Sequence, residues 1–417
     1  MSPSPNALLH AGVRRGDRLA LLARNSDQFV ILYLALARIS AISVPINFML
    51  TAGEVAFVLS DSGSIGIATE PEFLATAEAA ISRSPRPDLL RIELGGAPGT
   101  PGTPGWRPFS ELSTHSDTVV ADIERDADDT VQLMYTSGTE SQPKGVMLTS
   151  RSMLWQYASV VHGGRMESDD IELHTLPLYH TAQLHCFLTP DLYLGATSIV
   201  HNRPDPAAII DTITAERVTK FFAPPTVWIA LLAELDRRPD ADLSSLAKGY
   251  YGAAAMPIPV LRQLSERLPD LELWNFYGQT EMGPIATILE PAYAATKPGS
   301  AGRPALNVET RVVDDDGVEV KRGEIGEIVH RSPHLMAGYW NAPELTATAF
   351  RGGWFHSGDL GVVDEDGFLS VVDRKKDMIK TGGENVASRE VEECLYQHPA
   401  VAEVAVFGLF ADERVAA

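Results

Sequence analysis

Cysteine is nearly absent: Cys186 and Cys394 are the only two in 417 residues, far apart and without metal-ligand spacing. That excludes a disulfide framework and a cysteine-based zinc site, and it fits a reducing cytoplasm. Cationic side chains are also scarce. Lys and Arg number 34 against 55 Asp and Glu, for a net charge of −21, so no general nucleic-acid or anionic-membrane surface is expected. An anionic substrate would need a locally positive site. Long apolar runs are missing too. The most apolar stretch, Phe29–Ile46, is interrupted by Arg38, Ser40, Ser43 and Pro45, which reads as a buried helix running into a strand and not as a transmembrane segment. The opening "MSPSPNALLHAG" has no basic start before a long apolar core and reads as no secretory signal. No G-x-S-x-G elbow offers a serine nucleophile, and no internal repeat is visible.

What remains is an ordinary globular composition, 45% hydrophobic and 21% charged, in a chain long enough for two or more domains or lobes. Short β-rich runs ("DRLALLA", "AISVPIN", "IGIAT", "TVQLMYT", "IELHTLPL", "ATSIVH", "VTKFFAPP", "KGYYGAA", "ELWNFYG") alternate with helical stretches such as Asp205–Glu216, Pro225–Leu235 and Pro257–Leu268. This alternation predicts α/β layers with largely parallel sheets. "GGAPGTPGTPG" (Gly95–Gly105) reads as a surface loop. After about Gly299, glycine-punctuated strands predict antiparallel hairpins, in a small barrel-like subdomain.

The segment "YTSGTESQPKGVMLTS" (Tyr135–Ser150) follows an apolar run and carries hydroxyls, glycines and Lys144. Gly138 to Lys144 matches the interval of a nucleotide P-loop, but Pro143 removes an N–H and Gly145 replaces the metal-binding hydroxyl, which disfavours a kinase- or GTPase-type site. A plain surface turn and a mobile phosphate loop both remain compatible with these residues. Four further stretches stand in order along the chain: "LPLYHTAQL" (176–184), "YYGAAAMP" (250–257), "NFYGQTEMG" (275–283) and "GWFHSGDLGVVDEDGFLSVVDRKKDMIKTGGENVASREVE" (353–392). Together the five resemble the AMP-forming acyl-adenylating superfamily, which includes acyl-CoA synthetases, 4-coumarate–CoA ligases, luciferases and peptide-synthetase adenylation domains. "TGGENV" and "GYW" lean towards the acyl-CoA synthetases.

The resemblance implies a large α/β domain over residues 1–373, then a hinge and partial α+β domain over 374–417. It implies ATP, Mg2+ and coenzyme A as partners of a carboxylic acid, which is activated to an acyl-adenylate and then to a thioester. Thr136, Ser137, Gly138, Thr139 and Lys144 would cover the β- and γ-phosphates. Tyr277 would stack on adenine above Gly278, and Gly252, Ala253 and Ala254 would offer backbone contacts. Thr280 would bond the α-phosphate and Glu281 would hold the metal. Asp359 would grip the ribose hydroxyls with Arg374 nearby, Lys376 would lie at the domain pivot, and Gly382 and Gly383 would border the pantetheine channel. His180 would stand beside the substrate carboxylate, whereas His174 and His185 read as packed histidines and their spacing matches no closed metal site.

Two departures stand out. Glu140-Ser141 replaces the family's usual Thr-Gly in the phosphate loop. In addition, "AVAEVAVFGLFADERVAA" begins like the family's small domain, and no lysine follows Lys380, although relatives carry a catalytic lysine further on. The chain as written therefore reads as truncated there, and as short at its start. The expectation is a fatty-acyl-CoA ligase, with an aryl-CoA ligase or a non-catalytic nucleotide-binding remnant as alternatives. The 417 residues should bind ATP or AMP weakly and adenylate very slowly, because one cation of the transition state is missing. Rapid pyrophosphate release by the pure chain would overturn this.

Overall fold

The structure, a computed structural model, describes residues 5–86, 88–96, 102–113, 124, 126–136, 142–254, 256–381, 384–396, 401 and 404–408. Two large sheets carry the main body. In the first, the strands run in the order Gly338–Tyr339, Lys144–Thr149, Thr130–Thr136, Ile42–Pro45, Arg18–Leu22, Gly66–Thr69, Leu90–Glu93 and Arg107–Pro108. The pairings from Thr130–Thr136 outward to Arg107–Pro108 are parallel, and the two strands at the other edge are antiparallel. Parallel strands covered on both faces need continuous apolar side chains, and Leu19, Ala20, Leu21 and Leu22 are all fully buried.

The run Phe29–Ile46 resolves as its interruptions predict. Ser26 caps the helix Asp27–Arg38 by accepting the Phe29 N–H, and the strand Ile42–Pro45 follows. The next helix, Ala52–Ser62, opens on a capping box between Thr51 and Glu54 and ends at Gly63 in the left-handed conformation. Among the described residues no helix is long and apolar enough to cross a membrane.

The second sheet runs Arg303–Pro304, Ile285–Leu289, Glu272–Gly278, Lys248–Gly252, Lys220–Phe222, Ile171–His174, Thr197–Val200, parallel except for its first two strands. Period-two alternation sends Phe221 and Phe222 to opposite faces. Phe221 meets Trp228 of the helix Pro225–Arg237, with ring centroids 5.3 Å apart. Phe222 stacks on Phe187 at 4.2 Å, inside a buried set that includes Tyr250, Trp274 and Phe276.

Three expectations need adjustment. The strand in "IELHTLPL" ends at His174, because the Leu176 N–H donates to the Gln183 side chain and not to a neighbouring strand. "KGVMLT" is itself a strand, Lys144–Thr149. The expected small barrel is an open antiparallel sheet in the order Glu309–Val313, Gly326–Arg331, Phe355–Val363, Leu369–Arg374. Its two outer strands have no closing pair among the described residues. A short hairpin, Ile379–Thr381 with Glu384–Val386, and the helix Ser388–Tyr396 follow.

Trp228 is fully buried and donates its indole N–H to the Tyr250 carbonyl at 3.1 Å. Trp228→Ala should destabilise the unit built on the second sheet by about 3–5 kcal/mol, read as a fall in its urea midpoint. Trp228→Phe should lose less.

Candidate functional site

Strand ends of the second sheet build the site. Gly252 pairs with Phe276 in parallel register, and a Cβ on Gly252 would overlap the Phe276 carbonyl oxygen. A Cβ on Gly278 would likewise overlap the Pro284 carbonyl oxygen, where the antiparallel partner strand bulges. Only glycine permits these approaches. Beyond Gly252 the chain turns through Ala253 at φ +65°, an uncommon left-handed position for a residue with a side chain. Ala253 and Ala254 are exposed there.

Tyr277, the residue before Gly278, donates its hydroxyl to Asp359 Oδ2 at 2.6 Å. Asp359 sits on the third sheet directly opposite Arg374, whose Nε is 3.8 Å from Asp359 Oδ1. The Asp359 amide is oriented by Ser357, accepting at 3.0 Å, and Ser357 in turn donates to the Ile328 carbonyl at 2.6 Å. Burial pushes the Asp359 carboxyl above its ordinary range, against the opposing pull of the Tyr277 hydroxyl and Arg374. The Tyr277 phenol is pushed far up, first by burial and then by the Asp359 charge, so it stays a donor.

After Gly278 a single 3-10 turn, Thr280–Met282, carries the next two predicted residues. Glu281 Oε1 accepts the Tyr339 hydroxyl at 2.9 Å. The Lys144 ammonium lies 5.5 Å from the Tyr339 ring centroid, a cation–π distance. Burial raises the Glu281 carboxyl. The Tyr339 bond and the Lys144 charge oppose that rise, and the Asp359 charge adds to it. Lys144 pairs across the first sheet with Thr136, the last residue described before 137–141. Thr280 Oγ1 is 3.3 Å from Thr181 Oγ1, and this contact brings in the segment that carries His180, an exposed residue whose Nδ1 accepts the Ala182 N–H at 3.2 Å.

The structure thus gathers Thr136, Lys144, Tyr277, Gly278, Thr280, Glu281, Asp359 and Arg374 around the junction of all three sheets, with Gly252 one strand away. Lys376 lies apart, exposed in the turn after Arg374. Ser137, Gly138, Thr139, Gly382 and Gly383 lie outside the described residues. The histidines divide. His185 is fully buried against Gln132, and burial lowers it to about 3. His174 is not merely packed but belongs to a buried polar cluster with Glu172, Asp191, Lys220 and Gln183. Sequence reading also passed over Thr181 and Tyr339. The only advance signal was the position of Thr181 inside "LPLYHTAQL" and of Tyr339 inside "GYW". Lys220 had a clearer one, a lone charge in an apolar strand.

The model of the family described as AMP-binding enzyme matches residues 5–340. The chain belongs to that family, the AMP-forming acyl-CoA synthetase superfamily. It is 39% identical to a feruloyl-CoA synthase from an Amycolatopsis species over 97% of this chain and 78% of that protein. It is 35% identical to the long-chain-fatty-acid–CoA ligase FadD13 of Mycobacterium tuberculosis over 97% of this chain and 77% of that one. Among solved structures, the anthranilate CoA ligase AuaEII, determined with anthranoyl-AMP, superimposes with a TM-score of 0.89. It is 29% identical and covers 99% of this chain and 77% of its own.

Two outcomes are expected from this geometry. Gly278→Ala forces apart two backbones at the site and should lower AMP affinity at least tenfold in calorimetry, whereas Ala254→Gly should leave it within twofold. AMP affinity should also weaken on acidification at a pH above the ordinary Asp range near 4. The folded-state carboxyl of Asp359 takes up its proton early, so the charged form is present above that raised value and lost as pH falls through it. Binding isotherms between pH 4 and 8 check this.

Proposed function

We propose that this site activates a carboxylic acid with ATP, and that the acid is aromatic. The observation that carries the first half is the meeting of Tyr277, Asp359 and Arg374 with Thr280, Glu281 and Lys144 at one strand end. A flat ring with a polar tip suits adenine. A carboxylate suits a vicinal diol, and two cations suit phosphates in a chain that is otherwise strongly acidic. In this reading Gly252, Ala253 and Ala254 face the base with their backbones. Thr136, Ser137, Gly138, Thr139 and Lys144 hold the β- and γ-phosphates, and Thr280 bonds the α-phosphate.

His180 orients the acid. A carboxylate oxygen attacks the α-phosphorus and pyrophosphate leaves with the bonding pair. The thiolate of coenzyme A then attacks the acyl carbon and AMP departs. Arg374 and Lys376 begin a segment, 374–417, that pivots between the two steps, with Gly382 and Gly383 beside the thiol arm. Glu281 offers a single hard carboxylate oxygen, the donor type that suits magnesium shared with phosphates and water. That metal, when bound, neutralises phosphate charge. A cytoplasmic setting fits the sparse cysteines.

Two observations favour an aromatic acid over the fatty acid. The feruloyl-CoA synthase is the more similar of the two relatives, and the structural neighbour holds an aromatic adenylate.

Binding tests the reading without requiring turnover. A non-hydrolysable feruloyl sulfamoyl adenosine should bind at least tenfold tighter than AMP and tighter than its dodecanoyl counterpart. The reverse order would restore the fatty-acid reading, and no binding of any of the three would remove the adenylation reading. Glu281→Gln should depress pyrophosphate release about a hundredfold while AMP binding, which needs no metal, changes less than threefold.

A further inference from the structure

Below the site lies a buried polar cluster that the proposed chemistry leaves unused. Glu172 and His174 are two apart on the strand Ile171–His174 and so share a face. Lys220 is the register partner of Glu172 on the adjacent strand, and Asp191 enters from the helix Thr189–Leu194. All four side chains are fully buried. The Lys220 ammonium is 2.8 Å from Glu172 Oε2 and bonds Asp191 Oδ1. His174 Nε2 is 3.5 Å from Asp191 Oδ2.

Ligand atoms of Glu172, His174 and Asp191 all lie within 4.8 Å of one another, a spacing a divalent cation could use. Two facts argue against a metal. The ammonium of Lys220 already stands between both carboxylates. Moreover, Gln183 uses its oxygen to accept the Leu176 N–H at 3.2 Å, so its amide nitrogen is the atom 2.9 Å from His174 Nδ1. The network therefore assigns the imidazole proton to Nε2, facing Asp191, and leaves no lone pair there for a metal.

The same bonds lead upward to the site. Leu176 is held on its other side by Asn25, which donates to the Leu176 carbonyl at 2.7 Å and to the His201 carbonyl at 3.0 Å and accepts the Leu178 N–H at 2.8 Å. Four and five residues beyond Leu176 are His180 and Thr181, the latter in contact with Thr280. Gln183 itself sits on a π-helical turn, Ala182–Leu188, a rare geometry that recurs at functional sites. A buried ionic cluster adds little net stability over an apolar one, so its worth lies in geometry. We infer that Lys220, Asp191, His174 and Gln183 form a positioning relay that fixes the segment 176–181, and so sets His180 and Thr181 against the acyl-adenylate. None of the four touches the reacting atoms.

This inference rests on the proposed adenylation reading, and its test separates the two. Gln183→Met keeps the side chain's size but leaves the Leu176 N–H and His174 Nδ1 without their partner. The feruloyl sulfamoyl adenosine should bind this variant at least tenfold more weakly, while AMP stays within twofold of the unaltered chain. Amide hydrogen exchange should accelerate at least tenfold over residues 176–181 and stay unchanged over 272–278. Gln183→Glu still accepts the Leu176 N–H but offers no N–H to His174 Nδ1, so it should bind the mimic more tightly than Gln183→Met and more weakly than the unaltered chain. Unaltered binding of the mimic by Gln183→Met, or equal loss of AMP and mimic with exchange raised throughout, would overturn the relay. Should Gln183→Met not fold, Gln183→Glu with mimic affinity and exchange over 176–181 both equal to those of the unaltered chain would overturn it as well. Failure of the unaltered chain to bind either ligand would instead overturn the adenylation reading.

Discussion

The hydrogen bond from Tyr277 to Asp359 is the point on which the molecule turns. Tyr277 is the penultimate residue of a strand in the second sheet, and Asp359 lies mid-strand in the third. Their 2.6 Å contact joins two sheets that are also tied by the backbone bonds of Ala301 and Gly302 to Leu369 and by Arg303 donating to the Asp366 carbonyl. Because a buried carboxylate without partners is costly, Asp359 must keep this donor and the neighbouring Arg374. The position of the small antiparallel sheet is thereby set against the large parallel one. Gly278 and Gly252 then allow the backbones to close round that junction, and Glu281 and Thr280 follow one turn later.

The first sheet reaches the same place by a different route. Its second strand, Lys144–Thr149, begins at Lys144, and Tyr339 on the neighbouring edge strand receives Lys144 on its ring while its hydroxyl bonds Glu281. One aromatic side chain therefore links Lys144 and Glu281, 137 residues apart, by a cation–π contact and a charge-assisted bond. Three sheets meeting at side chains of opposite charge give a locally balanced site within a chain of net charge −21.

Much of this was legible in the residues. The strands Thr130–Thr136 and Glu272–Gly278 coincide with their apolar runs, since β-branched and aromatic residues bounded by glycine or proline leave little ambiguity. The motifs "NFYGQTE" and "HSGDL" stood out through their resemblance to the family, and the structure brings Tyr277 of the first against Asp359 of the second. What stayed hidden depended on pairing between distant segments. Nothing local in "VTKFFAPP" says that Lys220 faces Glu172, 48 positions earlier. The strand Lys144–Thr149 was masked by a lysine and a glycine at its start, and the open form of the third sheet depends on register between hairpins. His174 looked ordinary because its partners come from another strand and a helix.

Asp359 is shared. One oxygen takes the Tyr277 hydroxyl and the other faces Arg374, the residue from which the chain leaves for Ser388, whose backbone and hydroxyl both donate to Asp373 at 2.7 and 2.9 Å. In the proposed reading, a diol that claimed those oxygens would compete with a guanidinium tether, so occupancy and the freedom of the chain after Arg374 would be two sides of one equilibrium. By reciprocity, whatever held that chain in place would alter the hold on the diol by the same factor. The carboxylate would then be a latch as much as a binding group.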